Sequence, residues 1–273
     1  MANRTHVRLL RKGVRKWNAK FARDGFIADL TSFDALDAFY EPGKNTKSSV
    51  WLYDLSGILL REALLNKSRF SGANLSRADF SRAKMKECFL SGTCASANFS
   101  GADLTGAHIR SADLSNANLH GSILSLANMT ECNLKRANLD RAVFRQTDLR
   151  GSKFSDASVL GAEFTGADVG THFTKVMQDE SWGTFEWTTT DLSGAKGIKQ
   201  EQLEQMNGDS WTVIPVGLFR PRHWFTIVPP DDEEPGQQTL TQTSDKSNAF
   251  TSQPKNHQAP SYIHCAFQIL YSS

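Results

Sequence analysis

The 273-residue chain contains no apolar run near the roughly 20 residues that span a bilayer, so no transmembrane helix is expected. Its N-terminus is basic but has no apolar h-region, which argues against a secretory signal. The four cysteines, Cys88, Cys94, Cys132 and Cys265, form no CxxC pair and have no His-rich spacing. They read as reduced, structural thiols, and with them a cytoplasmic location is expected. No Walker A loop, HExxH or GxSxG is present, which removes the commonest signatures of phosphoryl transfer, zinc hydrolysis and serine hydrolysis. Neither a cofactor nor a metal site is expected, and no excess of one charge stands out overall, the formal net charge being +2.

What the chain has is a step of five. From Phe99 to Val169 fifteen successive central positions are apolar: Phe99, Leu104, Ile109, Leu114, Leu119, Leu124, Met129, Leu134, Leu139, Phe144, Leu149, Phe154, Val159, Phe164 and Val169. Two residues before each stands Ala in eleven cases, among them Ala102, Ala107, Ala112 and Ala137, and Ser122, Cys132, Thr147 or Ser152 in the rest. The register extends upstream through Met85, Phe80, Leu75, Phe70, Leu65, Leu60 and Leu55. Five residues turn an α-helix by about 500°, so this pattern makes no helical stripe, and a plain strand repeats every two. A short extended piece plus a two-residue corner does fit. Ala102 and Leu104 then face inward and Asp103 outward. Gly72, Gly101, Gly106, Gly121, Gly151, Gly161 and Gly166 fall at the second corner position, where a positive φ is expected. Four such sides close a coil of about twenty residues, and six or seven stacked coils would rise roughly 30 Å.

Ala-(Asp/Asn)-(Leu/Phe)-x-x is the consensus of the pentapeptide-repeat family, which this sequence closely resembles. The resemblance implies an all-β solenoid, a right-handed quadrilateral β-helix. It also implies candidate partners, since the best-understood members mimic duplex DNA and occupy the DNA site of type II topoisomerases such as gyrase. A DNA mimic should be acidic. Residues 54–197 hold sixteen Lys plus Arg and sixteen Asp plus Glu, so that role is only the alternative here. A homodimer is left open.

Both ends of a β-helix need covering. Val7, Leu10, Val14, Trp17 and Phe21 form one helical stripe, flanked by Arg8, Arg11, Lys12, Arg15, Lys16, Lys20 and Arg23. A capping helix over 1–26 with a solvated basic face is the preferred reading. The competing one is binding of nucleic acid or an anionic membrane through residues 1–24. Gly13-Val14-Arg15-Lys16-Trp17-Asn18 is similar to the Gly-Val-x-x-Trp-Asn leader of bacterial family members. Gln200-Glu201-Gln202-Leu203, then Pro215, Pro221 and Trp224, are similar to their closing segment. The resulting division is a repeat region over 27–197, a C-terminal helix and cap over 198–224, and a disordered tail over 225–273. Glu41–Ser49 reads as an inserted loop.

Two irregularities interrupt the register. Met85 and Phe99 lie fourteen residues apart rather than fifteen, so one residue is missing near 88–94, with Phe89 and Cys94 assigned inward. The pattern lapses after Val169 and resumes at Thr190-Asp191-Leu192, which predicts one irregular coil at about 170–189. That stretch holds His172, Phe173, Trp182, Phe185 and Trp187, read as an aromatic plug or, alternatively, a partner-binding surface. Outward Asp79, Asp103, Asp113, Asp148 and Asp168 read as a solvated face, and His108 and His120 lack an evident catalytic partner. The expected function is a non-catalytic scaffold or protein-interaction module.

Overall fold

A computed structural model describes residues 1–35, 53–176 and 184–224, with 173–176 and 184–187 described by their backbone. The inserted loop at Glu41–Ser49, Trp182 and the tail 225–273 lie outside the described residues.

The five-residue step is a complete hydrogen-bonding scheme. In the unit from Asp103 to Ala107, Asp103 donates its N–H to Ala83 of the coil before, and Leu104 donates to Ile123 of the coil after. Gly106 donates to Ser125, and Ala107 closes the corner onto Leu104. The remaining N–H, that of Thr105, goes to Asp103 Oδ1 at 3.2 Å. Every N–H of the unit thus has an acceptor, as buried backbone requires. The second residue is Asp or Asn because its carboxylate or amide oxygen takes the first corner N–H, an Asx turn. The same contact recurs at Asn98–Ser100, Asp113–Ser115, Asn118–His120 and Asn138–Asp140. These acidic positions are therefore backbone acceptors as well as a solvated face.

Parallel bridges stack the units into four columns, one per side. One runs Leu59, Asp79, Asn98, Asn118, Asn138, Ser158, Lys196. The column that starts at β1 (Tyr53–Asp54) and β2 (Ala73–Asn74) continues through Thr93, Asp113, Asn133, Lys153 and Asp191 to Val213. Its eight rungs rise about 34 Å at roughly 4.8 Å per step. That is one coil more than the expected range. Asp29 and Asp34 join the ladder at one end and Asn207 and Val213 at the other, so the segment 198–224 supplies rungs of its own.

The interior is closed and apolar. Leu75, Phe80, Phe99, Leu104, Ile109, Leu114, Leu119, Leu134, Leu139, Phe144, Leu149, Phe154 and Phe164 are at most 1% exposed, as are Ala102, Ala107, Ala112 and Ala137. Phe80 stacks on Phe99 at 5.0 Å, and Phe144 on Phe164 at 4.9 Å. Where the small residue is Ser or Thr, its hydroxyl donates to a carbonyl: Ser122 to Leu119, Thr147 to Leu124, Ser152 to Met129. Cys88, Cys94 and Cys132 are buried and unbonded to one another. Burial raises all three thiols, those of Cys94 and Cys132 to about 12, so none is a nucleophile near neutral pH.

The missing residue is confirmed in kind and corrected in detail. The bridge step is nineteen at Asn74–Thr93, Asp79–Asn98, Lys84–Asp103 and Phe89–His108, and twenty on either side of that coil. The shortened corner follows Leu90. Cys88 and Leu90 are buried, and Phe89 is not inward: it bridges on the outer side and stacks on His108 at 4.4 Å. The five-residue register simply runs on through Leu90 before the residue is lost.

A second correction concerns 170–189. The ladder passes directly from Lys153 to Asp191 and from Ser158 to Lys196. The described residues from Gly170 to Thr188 therefore add no rung to the ladder. They leave the solenoid as a hairpin, β3 (His172–Val176) antiparallel to β4 (Thr184–Thr188). Among the described residues no widened coil is present for an aromatic plug to fill.

The first helix is two: α1 (Arg4–Leu10) and α2 (Val14–Asp24), parted at Gly13, whose φ is +92°. Trp17 Nε1 donates to Leu59 O at 2.7 Å, Asn18 Nδ2 donates to Gly57 O, and Leu59 N–H donates to Asn18 Oδ1. The Trp-Asn pair thus makes the bonds that a preceding strand would make on the first rung of that column. At the other end Gln202, in α3 (Gln200–Leu203), donates to the carbonyls of Ala162 and Val159. Its Oε1 takes the N–H of Lys199, which offers no side-chain acceptor of its own. Among the described residues no helix is long and apolar enough to cross a membrane.

Candidate interaction surface

The hairpin leaves at the corner that follows the Asp168 side, and its two feet are tied to the ladder. Thr171 donates its N–H to Asp209 Oδ2 at 2.5 Å. Asp209 is itself 1% exposed and takes the N–H groups of Trp211 and Thr212 on Oδ1. On the return side, Thr190 Oγ1 accepts the N–H of Gly151 at 2.9 Å and lies 3.0 Å from Gly170 O. Gly151 is at the second corner position with φ +73°. A Cβ there would collide with Thr188 Oγ1 and lie 3.3 Å from His172 Cβ, so glycine is what lets the hairpin lie against the corner.

That corner column carries a charged cluster. His172, its side chain 14% exposed, has Nε2 at 3.3 Å from Arg110 Nη2 and 3.7 Å from Glu131. Glu131 also takes the Ser111 hydroxyl at 2.8 Å and lies 3.6 Å from Arg110. One coil further, Arg150 holds Asp148 through two nitrogens, at 2.9 and 2.7 Å, and reaches Asp168 at 3.5 Å. Burial pulls His172 below the usual histidine range, although Glu131 opposes the shift. The ring is therefore neutral, with Nε2 accepting from Arg110 and the proton on Nδ1. Among the described residues Nδ1 is buried without a hydrogen-bond partner. Burial likewise lifts Asp168 above the usual carboxylate range.

Of the five residues singled out in this segment, His172 joins the cluster. Phe173 and Phe185 lie in β3 and β4, as does Trp187, while Trp182 is outside the described residues. Cα partners are Phe173–Trp187 and Lys175–Phe185, so these positions share one alternate set of the hairpin. The other set begins with His172 and Thr188, the two that meet the ladder. Sequence reading did not single out Arg110, Glu131 or Arg150 with His172. The available signal was the step of twenty, which brings residues 110, 130, 150 and 170 to one corner.

A second charged surface lies on α1 and α2. Arg4, Arg8, Arg11, Lys12, Arg15, Lys16 and Arg23 are exposed, and residues 1–28 contain one acid, Asp24. Lys20 and Arg23 pair with that acid.

The family described as Pentapeptide repeats (8 copies) matches residues 54–92, 97–136 and 132–169. No curated protein matches the sequence. Several solved structures do. One is HetL of the cyanobacterium Nostoc sp. strain PCC 7120, a pentapeptide repeat protein involved in heterocyst differentiation regulation. It is 25% identical over 67% of this chain and 79% of its own, with a TM-score of 0.30. Another is QnrB1, a plasmid-mediated fluoroquinolone resistance protein, 23% identical over 57% of this chain and 67% of its own, TM-score 0.32. A third is a pentapeptide repeat protein of the Arabidopsis thaliana thylakoid lumen, 28% identical over 44% of this chain and 72% of its own, TM-score 0.22.

Proposed function

We propose, from the match to pentapeptide repeats over residues 54–92 and 97–169, that the protein is a non-catalytic scaffold whose hairpin at 172–188 contacts a protein partner. Both ends of the ladder are closed in this reading, by α1 and α2 at one end and by the segment from α3 to Trp224 at the other. The observation that carries the proposal is the hairpin itself. It departs from an otherwise regular ladder and is held at its feet by Asp209, Thr190 and Gly151. One alternate set of positions, Phe173, Phe185 and Trp187, lies opposite the set that meets the corner. Aromatic residues on a hairpin anchored at its feet suit a protein interface, where a few large side chains carry most of the affinity. The filled interior supports the absence of catalysis, because an active site needs a concavity with convergent polar groups.

The test is to replace residues 173–187 by a short Gly-Ser bridge. The reading expects an unchanged melting temperature and loss of whatever protein the intact chain captures from its native cell. A large fall in melting temperature with capture retained would mean that the segment is structural. Topoisomerase binding by DNA mimicry remains the alternative. The balance of sixteen basic and sixteen acidic residues over 54–197 weighs against it. Absence of gyrase inhibition at a large molar excess would remove it.

A further inference from the structure

We propose that the exposed face of α1 and α2 is a docking surface for nucleic acid, reading the phosphate backbone and not base sequence. The structure separates two properties that a basic amphipathic helix normally uses together. A membrane-surface helix must bury its apolar face among lipid tails. Here that face is already occupied. Trp17 is fully buried and bonded to Leu59 O, Leu10 is fully buried, and Trp17, Phe21 and His6 gather around Phe26 at ring distances of 5.0 to 5.5 Å. Outside that packed stripe the exposed face is mainly basic, with Ile27 the large apolar side chain most exposed beside it apart from Met1.

The charge is unbalanced. Residues 1–28 hold eight Arg and Lys against Asp24, while residues 54–197 balance sixteen bases with sixteen acids. Arg4, Arg8, Lys12, Arg15 and Lys16 make no ion pair among the described residues. Arg15 and Lys16 sit in the first turn of α2, which holds no acid and begins at Gly13 without a side-chain cap. Cations there oppose the helix dipole, so the arrangement costs stability locally instead of adding to it. Such a conflict between local preference and fold is expected at a functional surface.

Chemistry distinguishes the occupant. A protein interface has an apolar centre with a polar rim, whereas the basic face offers charge without a cluster of exposed aromatic residues. Arginine's planar fork matches phosphate oxygens, and five of the eight cations are Arg. A polyphosphate chain can neutralise several at once and release its counterions.

Fluorescence anisotropy of the full chain with a labelled 20-base-pair DNA duplex and with its RNA counterpart tests this. Binding to either at 50 mM salt should weaken about 10²- to 10³-fold by 200 mM, as four to five phosphate contacts require. Replacing Arg8, Lys12, Arg15 and Lys16 with Gln should abolish it, and replacing Arg8 and Arg15 with Lys should retain it. The melting temperature of the Gln variant separates lost charge from lost fold. If that variant unfolds, the salt slope of the natural chain decides. No binding to either duplex at 50 mM overturns the proposal. So does binding that ignores salt, or equal binding by a folded Gln variant. Preferential binding to vesicles of anionic lipid over both duplexes also overturns it.

Discussion

Leu126 occupies a conformation that its side chain resists. It sits at the second corner position with φ +61° and is 60% exposed, in a column where the coil before has Gly106, the coil after has Gln146 and the one beyond has Gly166. Fifteen described non-glycine residues share that left-handed backbone, including Arg136, Glu131 and Asp156. A left-handed L-residue costs about 1–2 kcal/mol, and glycine returns part of that as entropy in the unfolded chain. Leu126→Gly should therefore raise stability by about 0.5–1 kcal/mol, read as a higher denaturant midpoint with an unchanged slope. A lower midpoint would mean that Leu126 packs usefully with its exposed neighbour Ile123. The corner glycines were legible in the sequence. That arginine and glutamate must adopt the same φ was not, because the ladder above and below imposes it. Stacking also pairs some of these corners across coils, as in Lys67–Glu87 at 3.5 Å and Arg136–Asp156 at 3.9 Å.

At the scale of elements, the hairpin is the feature that periodicity could not describe. A lapse in the repeat of nearly one coil's length was consistent with an irregular coil, and only the bridge from Lys153 to Asp191 excludes it. Its anchoring predicts a pH dependence. His172 is depressed chiefly by burial, with Glu131 and Asp148 opposing and Arg110 and Arg150 reinforcing. The unfolded chain therefore binds a proton before the folded one does. Stability falls as pH drops through the unfolded value near 6.5 towards the lower folded value, and is regained above it. Melting of the natural chain should decline between pH 7.5 and 5.5 by more than melting of His172→Gln. Parallel profiles would mean that other groups set the slope. The two helices offer the opposite lesson. Gly13 stood out as the start of the leader motif, yet the sequence did not reveal that it divides α1 from α2, or that Asn18 beside Trp17 would satisfy backbone groups at Gly57 and Leu59.

For the whole molecule, the step of twenty makes a sharp prediction. Excising residues 97–116 joins Ser96 to Ala117 and removes one full turn, leaving every later side on its own column. The shortened chain should fold and unfold cooperatively, with a melting temperature lowered by no more than about 10 °C, since repeat stability is roughly a sum over neighbouring coils. Excising 97–113 instead joins Ser96 to Leu114 and breaks the five-residue register. That chain should show no cooperative transition by far-UV circular dichroism. Cooperative melting of both would count against the four-sided assignment.

The sequence by itself determined the coil: its period, its inward Ala and Leu or Phe, its four sides and the position of its glycines. Those follow from short-range geometry repeated many times, and each repeat restates the same constraint. The tertiary structure alone decided where the regularity ends. It put Phe89 outside and Leu90 inside, turned 172–188 out of the ladder, and assembled Arg110, Glu131, Arg150 and His172 at one corner. It also committed the apolar face of α2 to the first rung while leaving its cations exposed. These outcomes depend on contacts between residues twenty to sixty apart, whose pairing is set by how many residues each turn contains, and a single deletion or insertion changes that count for everything downstream.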